Sequence, residues 1–382
     1  MKHTFPVDLF TQLQTPFYYY DIEVLQQTLQ CLLAEAEPYN FKVHYAVKAN
    51  ANQRLLHEIC NAGLGVDCVS GQEVECAITN GFNPKDIMFA GVGKTDWEIK
   101  MALENNIGCF NVESIPELEV IDELAQQQQK IANIALRINP NIDAHTHHYV
   151  TTGLDENKFG IYACDLEKVI QKLKHLHHIN LIGIHVHIGS QITDLEPFKE
   201  LCTRVNELQQ WFEKHHICLK TINVGGGLGV DYMKPDEHSI PDFKDYFNIF
   251  HQFLELRPQQ EVHFELGRAV VAQCGSLISR VTYVKEGKKT KFAILDAGMN
   301  NLIRPALYQA THKIENLTST ESPEKYDVVG PVCESSDCFG KMVTLPQVHR
   351  GDIIAIRSAG AYGEVMASNY NLRDFAATYY SK

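Results

Sequence analysis

From about residue 41 the chain alternates between two spacings of apolar positions. Short apolar runs are followed by longer stretches in which apolar residues recur three and four apart. The runs predict strands at 41–49 (FKVHYAVKA), 64–70 (LGVDCVS), 87–92, 109–114, 134–140, 181–189 (LIGIHVHIG), 221–227 (TINVGGG) and 262–267 (VHFELG). The stretches between them predict helices, most clearly at 94–106 and 165–178. Strands alternating with helices imply parallel pairing through right-handed crossovers. Eight such strands across residues 41–267 match the count and the ~250-residue length of a (β/α)8 barrel. The competing open doubly wound sheet usually has fewer strands.

After residue 267 the rhythm changes. The segments VVAQCGSLISRVTYVKEG, KKTKFAILDAG, KYDVVGPVC and GDIIAIRSAG read as strands joined by tight Gly and Asp turns. They predict a second, mostly antiparallel β domain. The aromatic N-terminal segment, with PFYYYD, is expected to pack with one of the two. The expected organisation is therefore a barrel over 26–267 and a β domain made of 1–25 and 268–382.

Composition narrows the partners. Of 382 residues, 47 are acidic and 34 basic, giving a net charge of −13. Nucleic acid and anionic membranes both require a basic face, so neither is expected as a partner. No apolar run is long enough to span a bilayer, and MKHTFPVDLF lacks the apolar core of a secretory signal. The 11 cysteines are scattered without a CxxC pair, as in a reduced cytoplasmic protein without a disulfide framework.

The chemically unusual residues fall at carboxyl ends of predicted barrel strands, where active sites of such barrels lie. Lys48 closes the first strand, on one face with His44 and Ala46. Among apolar neighbours its amine either reaches water or becomes a nucleophile toward aldehydes, forming a Schiff base. Gly225, Gly226 and Gly227 follow the seventh strand. They form either a flexible turn or a nest of N–H groups for a phosphate. His185 and His187 lie two apart on the sixth strand. They are a core histidine with a ring-stacking one, or a metal pair. Glu265 ends the eighth strand, three residues before Arg268. It either pairs with that arginine or faces a pyridine nitrogen and keeps it protonated. In the second domain, Arg304 offers a two-pronged clamp for a carboxylate, and Cys333 a thiol that is mostly protonated at neutral pH. One ligand, pyridoxal 5′-phosphate, accounts for the reactive Lys, the phosphate nest, the stacking His and the pyridinium partner together.

In this order, YAVKAN, DCVSGQE, HVHIGSQ, VGGGLGVDY, ELGR, RPALY, CESSD and GAYGEVMASNYN resemble the diaminopimelate decarboxylase family of fold-type III (alanine racemase-like) pyridoxal enzymes. The resemblance runs from about Thr15 to Asn371. It implies that 26–267 is the pyridoxal-binding barrel and that Lys48 holds the cofactor as a Schiff base. Asp67, His187, Ser190, Gly225, Gly226, Gly227, Glu265, Gly267, Arg268 and Tyr362 would complete the cofactor site. Arg268, Arg304, Tyr308, Glu334 and Tyr362 would hold the distal end of an amino diacid substrate. Cys333 would protonate the reacting carbon, unless a water does, and Lys48, His187 and Cys333 would be the catalytic set. No metal is implied. The CESSD segment would come from the other subunit, implying a homodimer with shared sites. The family more often has Pro where this chain has Leu266.

The expected reaction is decarboxylation of meso-2,6-diaminopimelate to L-lysine and CO2, the last step of lysine biosynthesis. The alternatives are a decarboxylase of the same fold acting on ornithine, arginine or carboxynorspermidine, a metal-dependent barrel hydrolase using the His-x-His pair, and a pyridoxal-binding protein without catalysis.

Overall fold

In the computed structural model, which describes residues 5–142 and 158–382, the chain divides into two units. Residues 29–229 and 242–267 form one, and the chain before residue 29, residues 230–241 and residues 268–382 form the other. The first strand, β1 (Phe17–Tyr20), belongs to the second unit. The next eight are β2 (Lys42–Ala46), β3 (Gly65–Cys68), β4 (Ile87–Phe89), β5 (Cys109–Val112), β6 (Ala132–Arg137), β7 (Ile179–His185), β8 (Thr221–Asn223) and β9 (Glu261–Leu266). They close a parallel barrel, β9 pairing back onto β2 with His44 opposite Glu265. All eight correspond to the apolar runs of the sequence. Each is short, and most of their residues are buried because strands between a barrel interior and an outer layer of helices are covered on both faces.

The helices between strands start where the sequence supplies caps. The Ser70 and Ser114 hydroxyls accept from the N–H groups of Glu73 and Glu117, and Thr95 with Glu98 forms a capping box. The predicted helix over 94–106 spans Asp96–Glu104, and that over 165–178 is shorter, Leu166–Leu173.

All eight strands end before the bound read from the sequence, and three of these ends bear on the site. β2 stops at Ala46, and the chain tightens into a 3-10 turn, Val47–Ala49, so Lys48 leaves the strand's alternation. β7 stops at His185, which puts His187 in the following loop rather than on the strand with it. β8 stops at Asn223, leaving all three glycines beyond it.

In the second unit, β10 (Gly275–Glu286), β11 (Lys291–Leu295), β12 (Ile314–Asn316), β13 (Pro323–Val329), β14 (Cys338–Pro346), β15 (Ile353–Ile356) and β16 (Ala377–Tyr380) join β1 in one sheet. Its main path runs β12-β15-β10-β11-β13-β14. The pairing is mostly antiparallel, with parallel exceptions at β11–β13 and β1–β16. The N-terminal segment packs here: β1 pairs with β10, and Phe10, Phe17 and Tyr19 form a core with Ile278, Ile353 and Ala355. Residues 230–241 leave the barrel stretch and join this unit through the Tyr232 carbonyl, which accepts from the Lys313 N–H, an excursion without a sequence signal. Among the described residues no helix is long and apolar enough to cross a membrane.

Candidate active site

Polar side chains inside buried strands need partners, because an unpaired one costs about 1–3 kcal/mol. The barrel interior gathers them in layers. At its amino end the stacked rings of His44 and His263 join through Nε2 and Nδ1 at 2.7 Å. At its carboxyl end Glu265 forms the hub. Its Oε1 accepts from the side-chain amides of Asn111 (3.1 Å) and Asn223 (2.8 Å), and its Oε2 faces His185 Nε2 at 3.2 Å. Burial opposes ionisation of Glu265, but the contact with His185 first and then the charge of Lys48 hold its carboxyl well below the usual range. A carboxylate oxygen accepts about two hydrogen bonds, so Oε2 retains room for one more donor.

On the 3-10 turn, Lys48 Nζ donates to Asp67 Oδ2 at 3.3 Å. The lysine side chain is 40% exposed and the aspartate side chain fully buried. Burial first, then the charge of Glu265, pushes the Asp67 carboxyl up to about 7, against the pull of Lys48. Asp67 Oδ1 is buried without a hydrogen-bond partner among the described residues, as are Asn111 Oδ1 and His185 Nδ1.

His187 sits against the glycine run. Its Nδ1 accepts from the Gly226 N–H at 3.2 Å, so the ring carries its proton on Nε2. Burial, then the charges of Arg137 and Lys48, holds its pKa well below the ordinary value. The ring is therefore neutral. The glycines are needed for close approach as well as for any nest. A Cβ on Gly226 would lie 1.9 Å from the Glu265 carbonyl oxygen, and one on Gly225, at φ +68°, 2.5 Å from that of Val186. Two of the three N–H groups are engaged internally, Gly225 on Asn223 Oδ1 and Gly226 on His187. The Gly227 N–H is the one that makes no bond to the described residues. Ser190 lies half-buried in the loop after His187. The His-x-His pair is thus divided between Glu265 and the glycine turn, which does not suit a shared metal.

In the β unit, Tyr232 organises two arginines. Arg268 Nη1 donates to its hydroxyl at 2.5 Å, and the Arg304 guanidinium lies 4.6 Å from its ring centroid. Arg268 also lies 4.9 Å from the Tyr362 ring, and Tyr308 closes the short helix that Arg304 opens (Arg304–Tyr308). Gly267 packs against Ala46 and Ala49, where a Cβ would come within 2.9 Å. Leu266 is buried as the last residue of β9. Cys333 and Glu334 are exposed. Their loop is pinned by Asp337, whose carboxylate accepts from the N–H groups of Met299 and Val332, while Glu334 accepts from Tyr370.

Several participants escaped the sequence reading. Asn111 and Asn223 had a signal, a side-chain amide inside an apolar strand run. A buried pair of ion pairs, Arg137–Glu113 (2.6 Å) and Lys94–Glu117 (2.7 Å), is linked by the Glu113 N–H donating to Glu117. Each ion pair joins residues more than twenty apart in sequence, which only the closed barrel brings together.

Comparison with known proteins gives the family. Residues 23–272 match the family described as pyridoxal-dependent decarboxylase, pyridoxal binding domain. A diaminopimelate decarboxylase of Bacteroides thetaiotaomicron is 60% identical over 382 residues, covering 100% of this chain and 99% of that protein. One of Haemophilus influenzae is 42% identical over 95% of this chain and 87% of its own length. The crystal structure of diaminopimelate decarboxylase from Helicobacter pylori complexed with L-lysine superposes with a TM-score of 0.93 at 39% identity, covering 98% of this chain and 94% of that one. On these grounds the chain belongs to the diaminopimelate decarboxylase family of pyridoxal-dependent decarboxylases.

Proposed function

We propose that the chain converts meso-2,6-diaminopimelate to L-lysine and CO2, with the residues of the barrel mouth holding the cofactor and those around Tyr232 reading the substrate. The cofactor of the family is pyridoxal phosphate, and three features fit it. Glu265 has acceptor capacity left for a ring N–H. Gly227 presents an N–H without a protein acceptor among the described residues, and buried polar atoms of Asp67, Asn111 and His185 lack partners. When bound, this group supplies an electron sink conjugated to the substrate amine, so that electrons released with CO2 delocalise into a protonated ring.

The chain supplies the rest. Lys48 Nζ carries the cofactor, and Asp67, poised near neutrality 3.3 Å away, accepts or returns the proton that Nζ must exchange. Glu265, held ionised and aimed by Asn111, Asn223 and His185, keeps the proton on the ring nitrogen. Neutral His187 offers a flat face for stacking, and Ser190 with the glycine turn binds phosphate. Cys333 delivers a proton to the reacting carbon. Because Cys333 and Glu334 are exposed on a pinned loop, this segment of each chain completes the other's site in a homodimer. A cytoplasmic setting suits the unpaired cysteines.

The observation that carries substrate choice is Arg304. It is only 5% exposed, yet no carboxylate pairs with it among the described residues. A buried cation without a counter-ion is costly and suits a ligand that brings one. A site for ornithine or arginine needs an acid there instead. CO2 release should therefore be fast with meso-diaminopimelate and negligible with ornithine, arginine or lysine. Arg304→Ala should raise KM for diaminopimelate by roughly 30-fold or more. Equal turnover of ornithine, or an unchanged KM, contradicts the reading.

A further inference from the structure

The same corner shows how Arg304 keeps its charge available. His312 is buried, and both of its ring nitrogens are committed. Nε2 faces Arg304 Nη1 at 2.8 Å, and Nδ1 faces the Arg357 carbonyl oxygen at 2.8 Å. A guanidinium only donates and a carbonyl only accepts. The ring is therefore fixed as the neutral Nδ1–H tautomer, with its Nε2 lone pair on Arg304. A second proton would set N–H against N–H.

The carboxylates nearby are committed elsewhere. Arg357 Nη1 pairs with Glu315 at 2.6 Å and its Nη2 with Asp236 at 2.9 Å. Lys313 takes the other oxygens of both. Tyr232 meets the His312 ring edge-on at 5.0 Å and supports Arg304 with its face. Arg304 is thus oriented by a neutral acceptor and an aromatic ring, while the acids that pair with Arg357 are matched by Arg357 and Lys313.

We propose that His312 is a specificity-determining positioning residue: as a charge-neutral acceptor it aims the Arg304 guanidinium without neutralising it, so that the distal carboxylate of the substrate becomes its counter-ion. This rests on Arg304 reading that carboxylate. An acid at 312 would satisfy Arg304 internally and compete with the substrate. An apolar residue would leave the guanidinium unaimed. Neither change touches the reacting carbon, so the effect falls on affinity rather than on turnover.

The test compares His312→Leu, His312→Gln, His312→Glu, Arg304→Leu and the Leu/Leu double variant as cofactor-loaded enzymes. Calorimetry measures the dissociation constants of L-lysine and 1,5-diaminopentane, which differ by one carboxylate, and steady-state kinetics give kcat and KM for diaminopimelate. Wild type should favour lysine strongly. His312→Leu and His312→Glu should lose roughly tenfold or more of that preference and raise KM by a similar factor, with kcat within about threefold. His312→Gln, whose amide oxygen accepts without charge, should recover most of both. The double variant should be no worse than Arg304→Leu, as expected for residues acting in series. If Arg304→Leu loses the preference but His312→Leu keeps it, the role of His312 is overturned while that of Arg304 stands. If Arg304→Leu keeps it, the underlying reading falls. Should His312→Leu fail to fold, Gln against Glu decides: equal preference in both overturns the need for a neutral acceptor.

Discussion

Asp67 holds its proton more tightly in the folded chain, where its pKa rises to about 7, than unfolded near 3.8. The native state binds more protons across that window, so this group lowers stability as pH rises from about 4 to 7. Cofactor-free Asp67→Asn should lose that contribution, its urea midpoint falling less than wild type's between those values. Parallel profiles would remove Asp67 as a buried titrating group. Glu265 has the opposite sign: its depressed pKa stabilises above the ordinary value near 4.5 and is lost in acid. Replacing it by Gln removes the charge opposite the ring nitrogen while keeping shape, and kcat should drop by about 10²-fold or more. Wild-type turnover would contradict its role. Lys48, Glu265 and the glycines were legible because charged or permissive residues ended apolar runs. His312 and Tyr232 were not, since a lone His or Tyr in a loop is unremarkable until its partners are known.

At the scale of elements, the glycine turn after β8 joins the fold to the chemistry. Gly226→Ala places a Cβ 1.9 Å from the backbone of β9 at Glu265 and cannot be relieved by a side-chain shift. It should destabilise the protein by about 3 kcal/mol, read by denaturant unfolding, and loosen the hub around Glu265. A change below about 0.5 kcal/mol would show that the two strands separate easily. All eight barrel strands could be read from sequence, because burial on both faces writes them as short, mostly apolar runs between helical stretches. Their ends could not. The 3-10 turn at Val47–Ala49 and the stop of β7 at His185 follow from backbone hydrogen bonds within the closed barrel. The strands β12, β14 and β16 were missed because edge or half-exposed strands mix polar and apolar residues.

For the molecule as a whole, the proposed sharing of the Cys333–Glu334 segment between subunits predicts that one chain alone lacks a complete site. Coexpressed Lys48→Ala and Cys333→Ala chains should regain activity through mixed dimers, to roughly a quarter of wild type by random pairing. No recovery, with dimers confirmed by light scattering, would place Cys333 outside the other chain's site. Sequence motifs suggested this sharing only by resemblance, since nothing in a single chain's spacing encodes a second copy. The account as a whole depends on where the aldehyde of the cofactor attaches. Reduction of the cofactor-loaded enzyme with borohydride, followed by digestion and mass spectrometry, should find the pyridoxyl adduct on the peptide carrying Lys48, matched by loss of the visible absorbance. A stoichiometric adduct on any other lysine, or none on a folded, cofactor-saturated protein, would contradict it.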